Sequence, residues 1–123
     1  KNRLCLVSEL APREYLDYLK KNGISYIAVG KKSIDLKEAV RILETEFGSK
    51  RIGVVGGGHI NGSFLEAGLI DEVSMVYGAG IDGRSSQPTA FEGIPESHTV
   101  PYKLTLQSVE KVADQSVWIR YTV

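Results

Sequence analysis

The sequence predicts an α/β domain with a parallel core and an antiparallel C-terminal hairpin. Three observations carry that prediction. Through the first half of the chain, short apolar runs alternate with segments of helical spacing. A glycine triplet, Gly56-Gly57-Gly58, joins one such run to the segment after it. From Tyr102 to Val123 the chain alternates apolar and polar residues in two stretches.

Leu4 to Val7 reads as a buried strand, and Ser8 to Pro12 as a turn. Pro12 suits the first helical position, where its missing N–H is no loss, and Glu14 falls in the first turn. Tyr15, Leu16 and Leu19 mark one face of that helix, which stops at Asn22-Gly23. Ile24 to Val29 is a second strand, ending at Gly30 and followed by the polar loop Lys31 to Ser33. Asp35 reads as an N-cap, with Glu38 completing a capping box. Leu36, Ala39, Val40, Leu43 and Phe47 then repeat at helical spacing until Gly48. Ile52 to Val55 is the third strand, and a helix runs from about Ile60 to Ala67 with Gly68 as its stop.

Strands separated by helices in this order predict parallel pairing through crossover connections. Glu72 to Tyr77 is a further strand. Gly78 to His98 is mostly loop, and a loop of that length in a compact domain is functional or mobile. Tyr102 to Val112 and Ser116 to Val123, joined near Ala113-Asp114-Gln115, make the hairpin, so the sheet is mixed. With no internal repeat and no low-complexity segment, residues 1–123 read as one domain.

Composition narrows the function classes. Fifteen basic and fifteen acidic residues cancel, which argues against nucleic acid or a membrane surface as a partner. No apolar run approaches the roughly 20 residues that span a bilayer, and no signal-peptide pattern opens the chain. The single Cys5, set in the apolar run Leu4 to Val7, reads as a small core hydrophobe in a reducing cytoplasm. Two isolated histidines and one cysteine give no metal-ligand spacing.

The chemistry concentrates at the glycine triplet. Glycines remove side chains, so a ligand can approach the backbone, and the N–H groups of a helix start favour negative charge. A phosphate or pyrophosphate is the natural guest; the other reading is a tight turn that serves only the chain. The spacing is neither a P-loop nor a dinucleotide fingerprint, because no Gly-Lys-Ser/Thr follows and G-G-G-H-I-N lacks the last glycine of G-x-G-x-x-G. Gly62-Ser63-Phe64 is not a nucleophile elbow. His59, at the first turn of a helix, reads as a neutral donor or a solvent-facing residue rather than a proton carrier, and His98 as structural or exposed. Asp71-Glu72 reads as a turn before a strand.

The stretch VVGGGHINGSFLEAGLIDEVSMV, Val54 to Val76, resembles the C-terminal reductase domain of the bacterial riboflavin-specific deaminase/reductase family. Ala67 to Val73 is characteristic of that branch, and Gly83…Pro88-Thr89-Ala90-Phe91 matches more loosely. The resemblance implies the dihydrofolate-reductase-like three-layer fold, with helices on both faces of the sheet. It implies an NADPH-dependent reductase that transfers hydride to a pyrimidine- or pteridine-like heterocycle, of the 5-amino-6-(5-phosphoribosylamino)uracil reductase type. By resemblance, Gly57, Gly58, His59, Ile60 and Asn61 hold the cofactor, Gly62 and Ser63 complete the stretch, and Val29 and Gly30 flank it. Lys31 and Lys32 are candidates for the adenosine 2′-phosphate, or are simply solvated. Related folds often carry a cis Gly–Gly bond at this turn.

Val55 and Gly56 fall on the substrate side. Riboflavin-pathway reductases carry a Glu before the Gly-Gly turn, at the position of Val55, and an apolar side chain cannot make its polar contact. The substrate therefore stays open between that pathway and other dihydrofolate-reductase-like enzymes, with a non-catalytic nucleotide-binding or interface module as the alternative. No residue is singled out as catalytic. A homodimer is expected from the family and from the C-terminal strand, which would invite pairing at a sheet edge. The chain starts where the related reductases are already within their domain, so an N-terminal part of the domain is expected to be missing.

Overall fold

The computed structural model describes residues 3–113 and 115–123. The chain divides into two compact units, Lys1–Gly53 and Val54–Val123.

The first unit contains β1 (Leu4–Val7), α1 (Arg13–Lys21), β2 (Ser25–Ala28) and α2 (Leu36–Thr45). β1 and β2 pair in parallel, with Leu4 opposite Ser25 and Val7 opposite Ala28. The Val29 N–H donates to the Val7 carbonyl at 2.8 Å and carries the pairing one residue further. Val7, Leu19, Val29 and Ala39 are buried, so strands and helices each contribute to this core. Pro12 stands one place earlier than expected, as the residue before α1. The helix ends with Gly23 at φ +63°. There the N–H groups of Gly23 and Ile24 donate to the carbonyls of Lys20 and Leu19 at 3.0 and 2.9 Å. That pair of bonds satisfies the last turn as a Schellman motif does, and only glycine adopts its left-handed residue without strain.

Asp35 caps α2 as expected, accepting the Glu38 N–H at 3.0 Å. The reciprocal half of the capping box is not made. The Glu38 carboxylate takes two bonds from Arg41, at 2.8 and 2.7 Å, and the Asp35 N–H donates instead to the Val29 carbonyl at 3.3 Å. A bidentate charged pair outweighs one bond to a neutral N–H.

The second unit contains α3 (Gly58–Glu66), β3 (Glu72–Tyr77), β4 (Thr105–Val112) and β5 (Ser116–Thr122). The expected strand Ile52 to Val55 has no ladder partner among the described residues, and Val55 is 95% exposed. Apolar content suits an extended segment, but only a neighbouring strand makes it part of a sheet. The expected mixed sheet accordingly resolves into two ladders, the parallel β1-β2 pair and an antiparallel sheet of order β3-β5-β4. α3 begins at Gly58, two residues before the expected start.

β5 lies between β3 and β4, pairing antiparallel with both. The C-terminal strand is therefore central in this sheet, and the edge-pairing reason for a dimer does not hold. A register shift between Leu106 and Ser108 leaves Gln107 as the extra residue of a bulge. Because of it, Leu106 and Val109, three apart in sequence, face the same side, opposite Tyr121 and Ile119. On the other face Trp118 donates its indole N–H to Ser74 Oγ at 2.8 Å. Arg120 there grips Glu72 with bonds of 3.1 and 2.8 Å. The hairpin turn enters through Ala113 at φ +54°; Asp114, expected in that turn, lies outside the described residues. Gly78 to His98 carries no strand or helix, as expected of the long loop; the strand expected from Tyr102 begins only at Thr105, so the irregular stretch runs on to Leu104. No helix among the described residues is long and apolar enough to cross a membrane.

Candidate functional site

Gly57 is the cap residue of α3, with φ −72° and ψ 177°, and no side chain caps the helix. The N–H groups of the first turn have no intrahelical acceptor. None of Gly56, Gly57 and Gly58 has a positive φ, and there is no cis peptide bond among the described residues, so the expected cis Gly–Gly bond is not formed. Space, rather than backbone conformation, is what these glycines supply. A Cβ on Gly56 would lie 2.7 Å from Ile60 Cβ. One on Gly58 would lie 2.6 Å from the Thr89 carbonyl oxygen. One on Gly57 would meet nothing within 4 Å. Gly56 and Gly58 are thus small for the sake of the chain's own packing, whereas Gly57 opens onto free space.

The neighbour of Gly58 is a strap from Thr89 to Gly93. The Glu92 N–H donates to the Gly58 carbonyl at 2.9 Å, and Asn61 Nδ2 donates to the Ala90 carbonyl at 2.8 Å. Gly62, one turn further along α3, is buried, and a Cβ there would strike the Glu92 carbonyl oxygen. Glu92 folds its side chain back. Its Oε1 accepts the Thr89 N–H at 2.5 Å, and its Oε2 lies 3.4 Å from His59 Nε2. The Thr89 hydroxyl donates to the Phe91 carbonyl at 2.8 Å.

The site residues expected from the sequence fall as follows. Val55, Gly56, Gly57, Gly58, His59, Ile60, Asn61, Gly62 and Ser63 form one continuous turn and helix start. His59 and Ile60 are exposed. Ser63 turns its hydroxyl inward, donating to the His59 carbonyl at 2.8 Å, as serines in helices often do. Asn61 Oδ1 is buried without a hydrogen-bond partner. Val29 and Gly30 belong to the first unit. Val29 is a core residue whose N–H and carbonyl are already engaged, by Val7 and Asp35. Gly30 has φ +86°, and a Cβ there would lie 2.7 Å from the Asp35 nitrogen, so its own turn demands glycine. Lys31 and Lys32 are exposed. His98 stacks on Tyr102 with ring centroids 4.6 Å apart. No cluster of metal-ligating side chains occurs among the described residues.

Sequence reasoning marked Thr89, Ala90 and Phe91 only as a loose match to the family, and missed Glu92 and the packing of this strap on α3. Its one local signal is the spacing of Gly58 and Gly62. Residues four apart share a helix face, and two glycines there let another backbone come close.

The RibD C-terminal domain family matches the chain over residues 1–118. A curated protein of Archaeoglobus fulgidus, 2,5-diamino-6-ribosylamino-4(3H)-pyrimidinone 5′-phosphate reductase, is 28% identical over 90% of this chain and 48% of its own length. The Aquifex aeolicus protein of the same name is 31% identical over 70% of this chain and 38% of its own length. The chain thus spans about half, or less, of the relatives it matches. Among solved structures, a pyrimidine reductase-like protein from Corynebacterium diphtheriae superposes with a TM-score of 0.80 at 20% identity, over 97% of this chain and 49% of that one. Acinetobacter baumannii RibD superposes with a TM-score of 0.75 at 18% identity, over 98% of this chain and 37% of that one. These two likenesses establish the α/β fold that the sequence predicts.

Proposed function

The chain belongs to the RibD C-terminal domain family, and from that premise we propose that it carries a reductase activity of the riboflavin pathway. The reaction is hydride transfer from NADPH to a phosphoribosylamino-pyrimidine. The substrates in view are 2,5-diamino-6-ribosylamino-4(3H)-pyrimidinone 5′-phosphate, after the names of the two relatives, and 5-amino-6-(5-phosphoribosylamino)uracil. The observation that carries the reading is the family match over residues 1–118, which takes in the whole turn from Val55 to Ser63.

The turn suits a dinucleotide phosphate. α3 starts uncapped, and Gly57 leaves open space where a side chain would block the approach. The N–H groups of Gly58, His59 and Ile60 and the positive end of α3 then hold the phosphates. Asn61, fixed on Ala90 through Nδ2, keeps its buried Oδ1 as a spare acceptor for a ligand donor. When bound, NADPH supplies the hydride from C4 of its nicotinamide, and the protein's task is to orient donor and acceptor. Val55 and Gly56 are assigned to the substrate side; Val55 offers an apolar surface in place of a carboxylate. A homodimer belongs to the same reading and rests on the resemblance alone; sedimentation at micromolar concentration checks it.

The test is oxidation of NADPH by the purified chain with each candidate pyrimidine, followed by the reduced-nicotinamide absorbance. Turnover with either one supports the reading. NADPH binding without turnover moves it to a nucleotide-binding module, and no binding of NADPH removes it.

A further inference from the structure

The strap is an anchored island in an irregular stretch. Gly78 to Pro88 and Pro95 to Pro101 are exposed throughout, whereas Phe91, Glu92 and Ile94 between them are half-buried. The cover is mutual, since Gly58 and Gly62 are buried residues of α3 and lie against Thr89 and Glu92. The bonds that cross from strap to helix are polar: Glu92 N–H to the Gly58 carbonyl at 2.9 Å, and Asn61 Nδ2 to the Ala90 carbonyl at 2.8 Å. The Glu92 Oε2 faces His59 Nε2 at 3.4 Å. Thr89 and Glu92 also have the spacing of a capping box, although no helix follows them. Only half of the box is made: Glu92 Oε1 accepts the Thr89 N–H at 2.5 Å. The reciprocal donor, the Glu92 N–H, is diverted to Gly58, while the Thr89 hydroxyl donates to the Phe91 carbonyl at 2.8 Å and keeps its lone pairs.

We propose that the strap Thr89–Gly93 is a lid on the first turns of α3, which opens as a unit by passing the Glu92 N–H from the Gly58 carbonyl to the Thr89 hydroxyl, with Asn61 and His59 as its latch. Opening leaves no backbone group stranded. The Glu92 N–H completes the capping box within the strap, the Gly58 carbonyl keeps its helical partner four residues on, and the Ala90 carbonyl and Asn61 carboxamide turn to water. An element that loses little on detaching opens locally, well before the domain unfolds. Gly93, at φ +78°, turns the chain out of the strap, and a Cβ there would lie 2.9 Å from His59 Nδ1. Its lack of a side chain thus lets the lid shut against the imidazole. Closed, the lid fixes the Asn61 carboxamide and covers Gly58 and Gly62. Open, it bares that face of α3 and frees Asn61, so the lid decides whether this turn is assembled.

The test is amide hydrogen exchange, followed by NMR on the whole chain without ligand, in the wild type, Asn61→Asp and His59→Gln. The probe is the Glu92 amide. The references are the amides of β5 and that of Ala67, which donates to the Ser63 carbonyl at 3.0 Å. In the wild type the Glu92 amide should exchange faster than the slowest amides of β5. Asn61→Asp sets an oxygen against the Ala90 carbonyl and should speed exchange at Glu92 about tenfold. A negative charge near the start of α3 favours the helix, so unwinding of α3 cannot be the cause. His59→Gln removes an exposed pairing and should give about twofold. The bond to the Thr89 hydroxyl in the open lid is the same in all three proteins, so the ratios report the open population. The references should stay as in the wild type. An unchanged Glu92 rate in either variant, or an equal rise at the references, overturns the proposal. If Asn61→Asp does not fold, the wild type still decides: a Glu92 amide as slow as the slowest of β5 means that the strap leaves only on global unfolding, which also overturns it. Failure of NADPH to bind removes the cofactor reading and leaves these exchange rates to decide the lid.

Discussion

A Cβ at position 62 would fall on the backbone carbonyl oxygen of Glu92. The strap therefore lies on α3 only because residue 62 is glycine. Gly62→Ala must push the strap away, and with it the bond from Asn61 to Ala90 at 2.8 Å. Overpacking of this kind costs about 1–3 kcal/mol. Urea unfolding should show that loss, together with weaker NADPH binding. A variant as stable as the wild type would mean that the strap shifts freely and does not shape the site.

Gly57 should behave in the opposite way. Its φ of −72° suits any residue, and a methyl group there meets no protein atom within 4 Å. Gly57→Ala should lose no more than about 1 kcal/mol, the difference between glycine and alanine at an N-cap. Gly57→Ser should recover that loss by capping α3. Both variants should bind NADPH at least tenfold more weakly, because the added side chain occupies the path to the helix start. Tight binding by either one, measured by titration, would remove Gly57 from the cofactor site.

These two glycines also show what could be read from the sequence. Gly57 was legible because a glycine run before a helix is a local pattern with a local cause. Gly62 was seen, but as part of the same ligand motif, since its real neighbour, Glu92, lies thirty residues on in a loop without periodicity. Ile52 to Val55 failed as a strand because pairing is a property of two segments and only one was in view. The last strand formed where the alternation from Ser116 to Val123 predicts it, but its place at an edge was wrong for the same reason: nothing local says that it runs between β3 and β4. The helices were the most legible part, because caps and stops such as Asp35 and Gly23 act within a few residues of where they stand.

Deleting Gln107 should leave the β4-β5 pairing intact. Leu106 already stands opposite Tyr121 and Ser108 opposite Arg120, neighbours on β5, so Gln107 is the residue without an opposite number. Removing it restores regular alternation, whereas removing any other residue of β4 would turn part of the strand over. The deletion gives up two side-chain bonds, from Gln107 Nε2 to Thr122 Oγ1 at 3.1 Å and a long one to the Thr105 carbonyl at 3.5 Å, together worth about 1 kcal/mol. Cooperative unfolding with a small drop in midpoint is the expected result. Loss of cooperativity would show that the bend made by the bulge is needed to fold the sheet.

The stability of α2 should depend on acid through Glu38. The Arg41 guanidinium, bonded to both carboxylate oxygens, holds the Glu38 carboxyl below the usual carboxylate range. A group whose pKa is lower in the folded chain than in the unfolded one stabilises the fold above its unfolded pKa. It loses that contribution as the pH falls through the folded value. Glu38→Gln should therefore melt below the wild type near neutral pH, and the gap should close on acidification past the ordinary carboxylate range. Both partners are well exposed, 56% for Arg41 and 42% for Glu38, so the gap should be small and should shrink in high salt. The Asp35 cap accepts the backbone N–H of residue 38 and is untouched by the change. A melting difference that stays constant across pH and salt would place the effect of Glu38 in packing or helix propensity rather than in its bond to Arg41.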